Sequence, residues 1–331
     1  MSHCFVNTDE TLHDLRVITL QNEQLRVKIL PEVGGKIWQI TFLELGEDLL
    51  WNNVFTSPGR HPIHAPYDDV WSGGWDELFP NDEEATIDGT RFPDHGELWT
   101  GVWNHRTSAD EQSASVTLSF ETPLSGIVME KTLTLYNASS TLRISHTMRN
   151  TSAKEFPFLW KLHLALRVTS DHRIDFPKMQ VLREPAFPGT LGEAPIQFPW
   201  PYAKVGASTL DLRKVTEHER ALYFFYGTQM EAGWCALTNT AKRLSCGLRF
   251  SQQVFPSCWL FATYGGWRDH HVAVLEPCTG YPLDFDEMVR TGRHRVLAPR
   301  ETLSTEVLFT VQTGLRNVSF IDEQGAIHGD Y

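Results

Sequence analysis

The sequence predicts an all-β fold, a large antiparallel β-sandwich. Three observations predict it. Apolar and polar residues alternate through most of the chain, turn residues separate the alternating segments, and no long helical stripe, repeat or low-complexity tract interrupts them. In Leu25-Arg-Val-Lys-Ile-Leu30 the apolar side chains alternate with Arg26 and Lys28; in Ser115-Val-Thr-Leu-Ser-Phe120, Val116, Leu118 and Phe120 share one face. Successive strand side chains point to opposite faces, so a half-buried strand writes this pattern. It returns at 127–135, 142–148, 158–168, 221–226, 232–238, 244–250, 258–263, 271–276 and 304–311. Pro31, Gly34-Gly35, Asn137 and Gly265-Gly266 mark the turns. Gly34-Gly35-Lys36 reads as a hairpin turn rather than a phosphate loop, because the lysine opens a strand and not a helix.

The chain has 331 residues, and large all-β folds run past about 250 residues as one unit. A single domain spanning 1–331, with its core from about 14 to 311, is therefore expected. Two segments break the rhythm: 52–105 is dense in Trp, Asp, Glu, His, Gly and Pro, and 184–206 carries five prolines among aromatics. Long irregular insertions of this kind are more often functional than accidental. Lys plus Arg total 29 against 41 acidic residues, a balance of −12, and no basic run offsets it, which argues against nucleic acid as a partner. The N-terminus lacks a basic start followed by an apolar run, and no stretch approaches the ~18 apolar residues of a spanning helix. Five cysteines at irregular spacing, with no C-x-x-C, suit reduced thiols. The expectation is a cytoplasmic protein with no membrane partner, in which the Asn-x-Ser/Thr matches at Asn137, Asn150 and Asn317 are fortuitous.

Three constellations can carry chemistry. In Phe158-Leu-Trp-Lys-Leu-His-Leu-Ala-Leu-Arg-Val168, strand parity puts Trp160, Leu162, Leu164, Leu166 and Val168 on one face and Lys161, His163 and Arg167 on the other. That second face needs water or a polar cleft, and the spacing does not choose between them. A histidine suits proton transfer because its ordinary pKa, about 6.5, lies near neutrality. In His271-Val-Ala-Val-Leu-Glu-Pro277, Glu276 continues the apolar row of Val272 and Val274, and Pro277 is expected to end regular pairing. Apolar neighbours disfavour a carboxylate's charged form and suit it to general-base work, although an ion pair at a strand end is the commoner arrangement. The third constellation is Trp71-Ser-Gly-Gly-Trp-Asp-Glu-Leu-Phe-Pro80 with Phe92-Pro-Asp-His-Gly-Glu-Leu-Trp99. Flat aromatic faces beside Asp, Glu and His suit a carbohydrate, whose CH faces stack on rings and whose hydroxyls need directed partners. Asp94, His95 and Glu97 are metal-ligand types, but no metal-binding spacing accompanies them, so no metal is expected. His146, in parity with Leu142, Ile144 and Met148, reads as a satisfied core histidine.

Taken in order, these segments resemble the galactose mutarotase-like superfamily, which includes the aldose 1-epimerases and the hexose-6-phosphate mutarotases. Pro31-Glu-Val-Gly-Gly-Lys-Ile-Trp38 resembles its early glycine hairpin, Trp71–Pro80 its Gly-Gly segment, and Pro93-Asp-His-Gly-Glu-Leu-Trp99 its histidine-glycine segment. Leu162–Val168 is similar to the strand bearing the catalytic histidine, and Val274-Leu-Glu-Pro277 to the strand bearing the catalytic glutamate. The resemblance implies a supersandwich of antiparallel sheets and an acid–base reaction at an anomeric carbon that needs no cofactor. By position it makes Glu276 the base on the C1 hydroxyl and His163 the acid on the ring oxygen. It implies that His95, Asp76, Trp75 and Glu97 bind the sugar, and that Lys161 meets an anionic substituent. Neither the family's substrate-binding arginine nor its mid-chain aspartate has an assignable counterpart, which marks a divergent branch. The expected partner is a small sugar, a hexose or a charged derivative, bound by a monomer or homodimer. A non-catalytic sugar-binding protein and a carbohydrate lyase or hydrolase are the alternatives.

Overall fold

The computed structural model describes residues 4–216 and 220–331. Within them the chain is built from antiparallel strands, with only two short α-helices, Tyr67–Val70 and Phe285–Arg290. The alternating segments are strands with nearly the expected bounds: Leu25–Leu30, Ile127–Tyr136, Thr141–Asn150, Leu244–Phe250 and Thr302–Thr313 among them. Regular structure also runs beyond residues 14–311, in Phe5–Leu12 at one end and Phe320–Ile321 and Ile327–His328 at the other. Among the described residues no helix is long and apolar enough to cross a membrane. All five cysteines are free and buried.

The chain divides into two compact units, and it passes between them after His163, Cys278 and Val307. The first unit comprises 1–163 and 279–307. One of its sheets runs, strand beside strand, through Phe5–Leu12, Leu15–Gln21, Leu25–Leu30, Lys36–Phe42 and Trp75–Leu78 to the start of Lys161–Arg167. The other runs through Thr141–Asn150, Ile127–Tyr136, Ser113–Glu121 and Asn104–Ala109. Leu15–Gln21 packs against the Ser113–Glu121 and Ile127–Tyr136 strands, so the two sheets enclose a core.

That core contains charges. The buried row of Ile127–Tyr136 reads Ile127, Met129, Lys131, Leu133, Leu135, and that of Thr141–Asn150 includes Leu142, Ile144, His146 and Met148. Lys131 and His146 are cross-strand partners, each placed where alternation calls for an apolar residue. Both reach Glu77 of the first sheet. Lys131 Nζ lies 2.8 Å and His146 Nε2 3.1 Å from Glu77 Oε1, while the Trp160 indole donates to Oε2 at 3.2 Å. Burial opposes the Glu77 charge, but Lys131 and His146 outweigh it and hold the carboxyl far below its ordinary range. His146 is thus a core histidine as expected, although its Nδ1 has no hydrogen-bond partner among the described residues. Trp160 immediately precedes the Lys161–Arg167 strand, and its indole donates to Glu77.

The second unit comprises 164–278 and 308–331. One sheet passes through His271–Cys278, Ser257–Tyr264, Ala221–Thr228, Gln180–Arg183 and Gln197–Pro199, and the other through His172–Asp175, Trp234–Asn239 and Leu244–Phe250. Trp234 and Ala236 pack with Leu315, Val318, Ile321 and Ile327, which anchors the C-terminal hairpin. Pro277 does not end the pairing: it lies opposite Cys258, and Cys278 opposite Ser257. A proline removes only the bond its own N–H would donate, and an antiparallel neighbour bonds to every second residue.

Breaking a buried ion pair from one side leaves an uncompensated charge and costs about 3–5 kcal/mol. Glu77→Ala should therefore lower the unfolding free energy by roughly that amount in denaturant titration, with Glu77→Gln losing less. A change within error for Glu77→Ala would show that Lys131 is not held by this carboxylate.

Candidate active site

The Trp75–Leu78 strand positions the site in the first unit. The chain enters it through Gly73, at φ 87°, where a Cβ would stand 2.3 Å from the Trp51 carbonyl oxygen, so only glycine fits. All four strand residues are buried. Alternation sends Trp75 and Glu77 to one face and Asp76 and Leu78 to the other. With Glu77 committed to the core, Asp76 meets Lys36 and Tyr67. Lys36 Nζ lies 3.0 Å from Asp76 Oδ2, and the Tyr67 hydroxyl donates to the same oxygen at 2.9 Å. Lys36 also donates to the Gly73 carbonyl at 2.8 Å, which ties the entry turn to the pair.

Tyr67 connects Asp76 to both histidines. Its hydroxyl oxygen is 3.3 Å from His163 Nδ1, and its ring stacks on His95 at 4.1 Å with an 11° tilt. His163 is also met edge-on by Trp71 at 5.3 Å and by His95 at 6.3 Å between ring centroids. Trp99 completes the aromatic wall, edge-on to Tyr67 at 5.1 Å.

His95 is held by its loop. Gly96 bridges to Phe79 at the end of the Trp75–Leu78 strand, and a Cβ on it would lie 2.0 Å from the Phe79 carbonyl oxygen. His95 itself adopts φ 60°, a conformation uncommon for a side-chain-bearing residue, with its N–H donating to the Asp82 carbonyl at 2.6 Å. Its Nδ1 lies 2.7 Å from Asp94 Oδ1, and its Nε2 3.9 Å from Asp82 Oδ1.

The two histidines are driven apart electrostatically. Burial acts against charge on His95, but Asp94 and Asp82 overcome it and the net shift is upward. His163 is pushed well below its ordinary value by burial, reinforced by Lys161, His95 and Lys36. Opposed shifts in adjacent groups are how one site keeps a charged and a neutral member near pH 7. On folding, His95 contributes stability that is complete at low pH and lost as pH rises through its folded midpoint. His163 contributes stability that is complete above its ordinary value and lost as pH falls towards its folded one.

Of the residues singled out in the sequence, His163, His95 and Asp76 come together around Tyr67. Lys161 and His163, expected on a polar face with Arg167, are both buried while Arg167 is exposed, so this face meets an enclosed polar cluster rather than open water. Lys161 is ion-paired with Asp82, whose carbonyl holds the His95 N–H. Glu97 is turned elsewhere: its carboxylate accepts from the Leu124 N–H at 2.8 Å and the Ser125 N–H at 3.2 Å, which fixes the turn before Ile127. Trp75 is 2 % exposed on the face it shares with Glu77, and Trp71 is the indole against His163. Glu276 belongs to the second unit, where it is 1 % exposed in a row with Val272 and Val274 and opposite Trp259. Among the described residues no group of three or more His, Cys, Asp or Glu side chains could hold a metal. Sequence reasoning missed Tyr67, Lys36 as a site residue, and Asp82. Tyr67 sits in a four-residue helix with no periodic signal, and Asp82 lies in an acidic run, Asp82-Glu-Glu84, that looks solvated.

In proton NMR titration the His95 ring should titrate above 6.5 and the His163 ring well below it. Coincident midpoints would contradict this electrostatic arrangement.

Residues 4–80 match a family model described as a domain of unknown function, DUF5107. The chain is similar in structure to a galactose mutarotase-like protein from Clostridium acetobutylicum, with TM-score 0.69 and 13% identity over 94% of this chain and 99% of that one. A candidate aldose 1-epimerase from Klebsiella pneumoniae gives TM-score 0.67 and 12% identity, over 90% of this chain and 79% of that one. A galactose mutarotase-like protein from Lactobacillus casei gives 0.60 and 13%, over 89% and 100%. At such identities the likeness is one of fold: the chain has the galactose mutarotase-like β-sandwich, in a divergent sequence.

Proposed function

We propose that this chain is an aldose 1-epimerase-like isomerase that interconverts the α and β anomers of a hexose or a hexose derivative. The observation that carries the reading is the buried His163, neutral by preference and set among Tyr67, His95 and Trp71, on the strand that resembles the family's histidine strand. In this reading Glu276 removes the proton of the C1 hydroxyl while the imidazolium form of His163 gives its Nε2 proton to the ring oxygen. The C1–O5 bond breaks, the open aldehyde rotates about C1–C2, and closure on the other face returns both protons. A histidine whose imidazolium is disfavoured by burial and by Lys161 gives its proton to a weakly basic ring oxygen readily. His95, whose charged form is favoured by Asp94 and Asp82 against the cost of burial, is suited to donate a hydrogen bond to a sugar oxygen. Trp71 and Trp99, packed edge-on against His163 and Tyr67, give the histidine an apolar wall. Both nearby lysines are already paired with carboxylates, which favours a neutral sugar over an anionic one.

Polarimetry on freshly dissolved pure anomers, across neutral, acidic and phosphorylated hexoses, tests this reading. At least one sugar should reach equilibrium faster with the protein than without it. His163→Ala and Glu276→Gln should each reduce that acceleration by about 100-fold or more, the usual size of a lost acid–base group. Saturable binding with no acceleration for any sugar would instead make the protein a sugar-binding module.

A further inference from the structure

We infer that Tyr67 is the positioning residue for His163: it accepts the Nδ1–H of the imidazole and so reserves Nε2 as the ring nitrogen whose proton comes and goes. The inference deepens the epimerase reading above and rests on it for its functional consequence, but not for its structural content.

The argument follows from counting protons. A phenol has one hydrogen to donate. Asp76, salt-bridged to Lys36 at 3.0 Å, offers an oxygen that accepts, and the Tyr67 hydroxyl lies 2.9 Å from that same oxygen. Two oxygens at that distance need a hydrogen between them, and the carboxylate has none to give. The hydroxyl's one hydrogen is therefore spent on Asp76. What remains on the phenol oxygen is acceptor capacity, and His163 Nδ1 lies 3.3 Å from it. That contact is a hydrogen bond only if Nδ1 carries the hydrogen. Lys36, Asp76, Tyr67 and His163 thus form a directional chain in which every group's role is set by its neighbour, running from a fixed cation to a tautomer.

The neutral imidazole is then the Nδ1–H tautomer, with a lone pair on Nε2, and the imidazolium keeps the same Nδ1–H bond and adds a proton at Nε2. In both states the ring keeps one orientation, because the Nδ1 bond persists while Nε2 changes. Trp71, edge-on at 5.3 Å, blocks rotation of the ring from one side, and Tyr67 does so from another at 5.7 Å. For ring opening and closure this matters, since the proton that protonates the sugar ring oxygen must be recovered at the same atom on closure.

Nitrogen-15 correlation spectra of the imidazole rings read the tautomer directly, in the whole chain and without substrate. At a pH where His163 is neutral, its Nδ1 should show the shift of a protonated nitrogen and its Nε2 that of an unprotonated one. In Tyr67→Phe this bias should be lost, with the His95 spectrum retained as evidence that the site is still folded. The variant's kcat for anomer exchange should fall by about tenfold, the weight of one hydrogen bond, with KM little changed. A protonated Nε2 in the wild-type chain overturns the inference whatever Tyr67→Phe does, as does a bias that survives the substitution. If the tautomer is as stated but no sugar is isomerised, the epimerase reading fails and the Tyr67 assignment stands.

Discussion

The contact on which the site depends is buried in the sandwich core, and it is the bond between Glu77 and the Lys131–His146 pair. A strand has two faces, and a slip of one residue exchanges them. Trp75–Leu78 is four residues long and buried on both sides, so apolar packing alone gives it weak register. Placing a carboxylate on one face, and Lys131 and His146 opposite it on the facing sheet, removes that ambiguity. A register that sent Glu77 to the other side would take from Lys131 the carboxylate it pairs with, and breaking such a pair from one side costs about 3–5 kcal/mol. With Glu77 fixed inward, Asp76 faces Tyr67 and Lys36, and the orientation of His163 follows.

This also accounts for the order in which charge is arranged across the strand. On the core face, one carboxylate serves a lysine and a histidine, all three buried. On the other face, Asp76 serves a lysine and a tyrosine, and the tyrosine serves a histidine. The first arrangement fixes register, while the second fixes a tautomer. The same six-residue segment, Trp-Asp-Glu-Leu-Phe-Pro, supplies both carboxylates and then, at Phe79, the backbone that clamps Gly96 and with it the His95 loop.

The strands were legible because alternation is written locally: Leu25–Leu30, Thr141–Asn150 and Leu244–Phe250 need no distant partner to be read. Charge pairing is a different kind of information. Lys131 stands in an apolar row of its own strand, yet nothing near it in sequence announces Glu77, 54 residues earlier. Glu97 was assigned to the sugar through the resemblance of its segment; that its carboxylate accepts two N–H groups from residues 124 and 125 is a long-range arrangement with no sequence pattern. Parity gives the direction of Lys161, beside His163, but not what lies there: its partner Asp82 is 79 residues earlier. Tyr67 was not legible at all: a lone tyrosine in an irregular segment becomes a positioning group only when the fold brings Asp76 and His163 to its hydroxyl.

The central claim is that a core ion cluster and a histidine tautomer are coupled through one strand. Glu77→Gln tests it most directly, because it keeps the shape of the side chain and removes only its charge, and the readout is the His163 ring rather than stability alone. At a temperature where the variant remains folded, its His163 nitrogen shifts and titration midpoint should move away from their wild-type values while the exposed His328 stays unchanged. A variant that is measurably less stable but leaves every His163 signal in place would contradict the account.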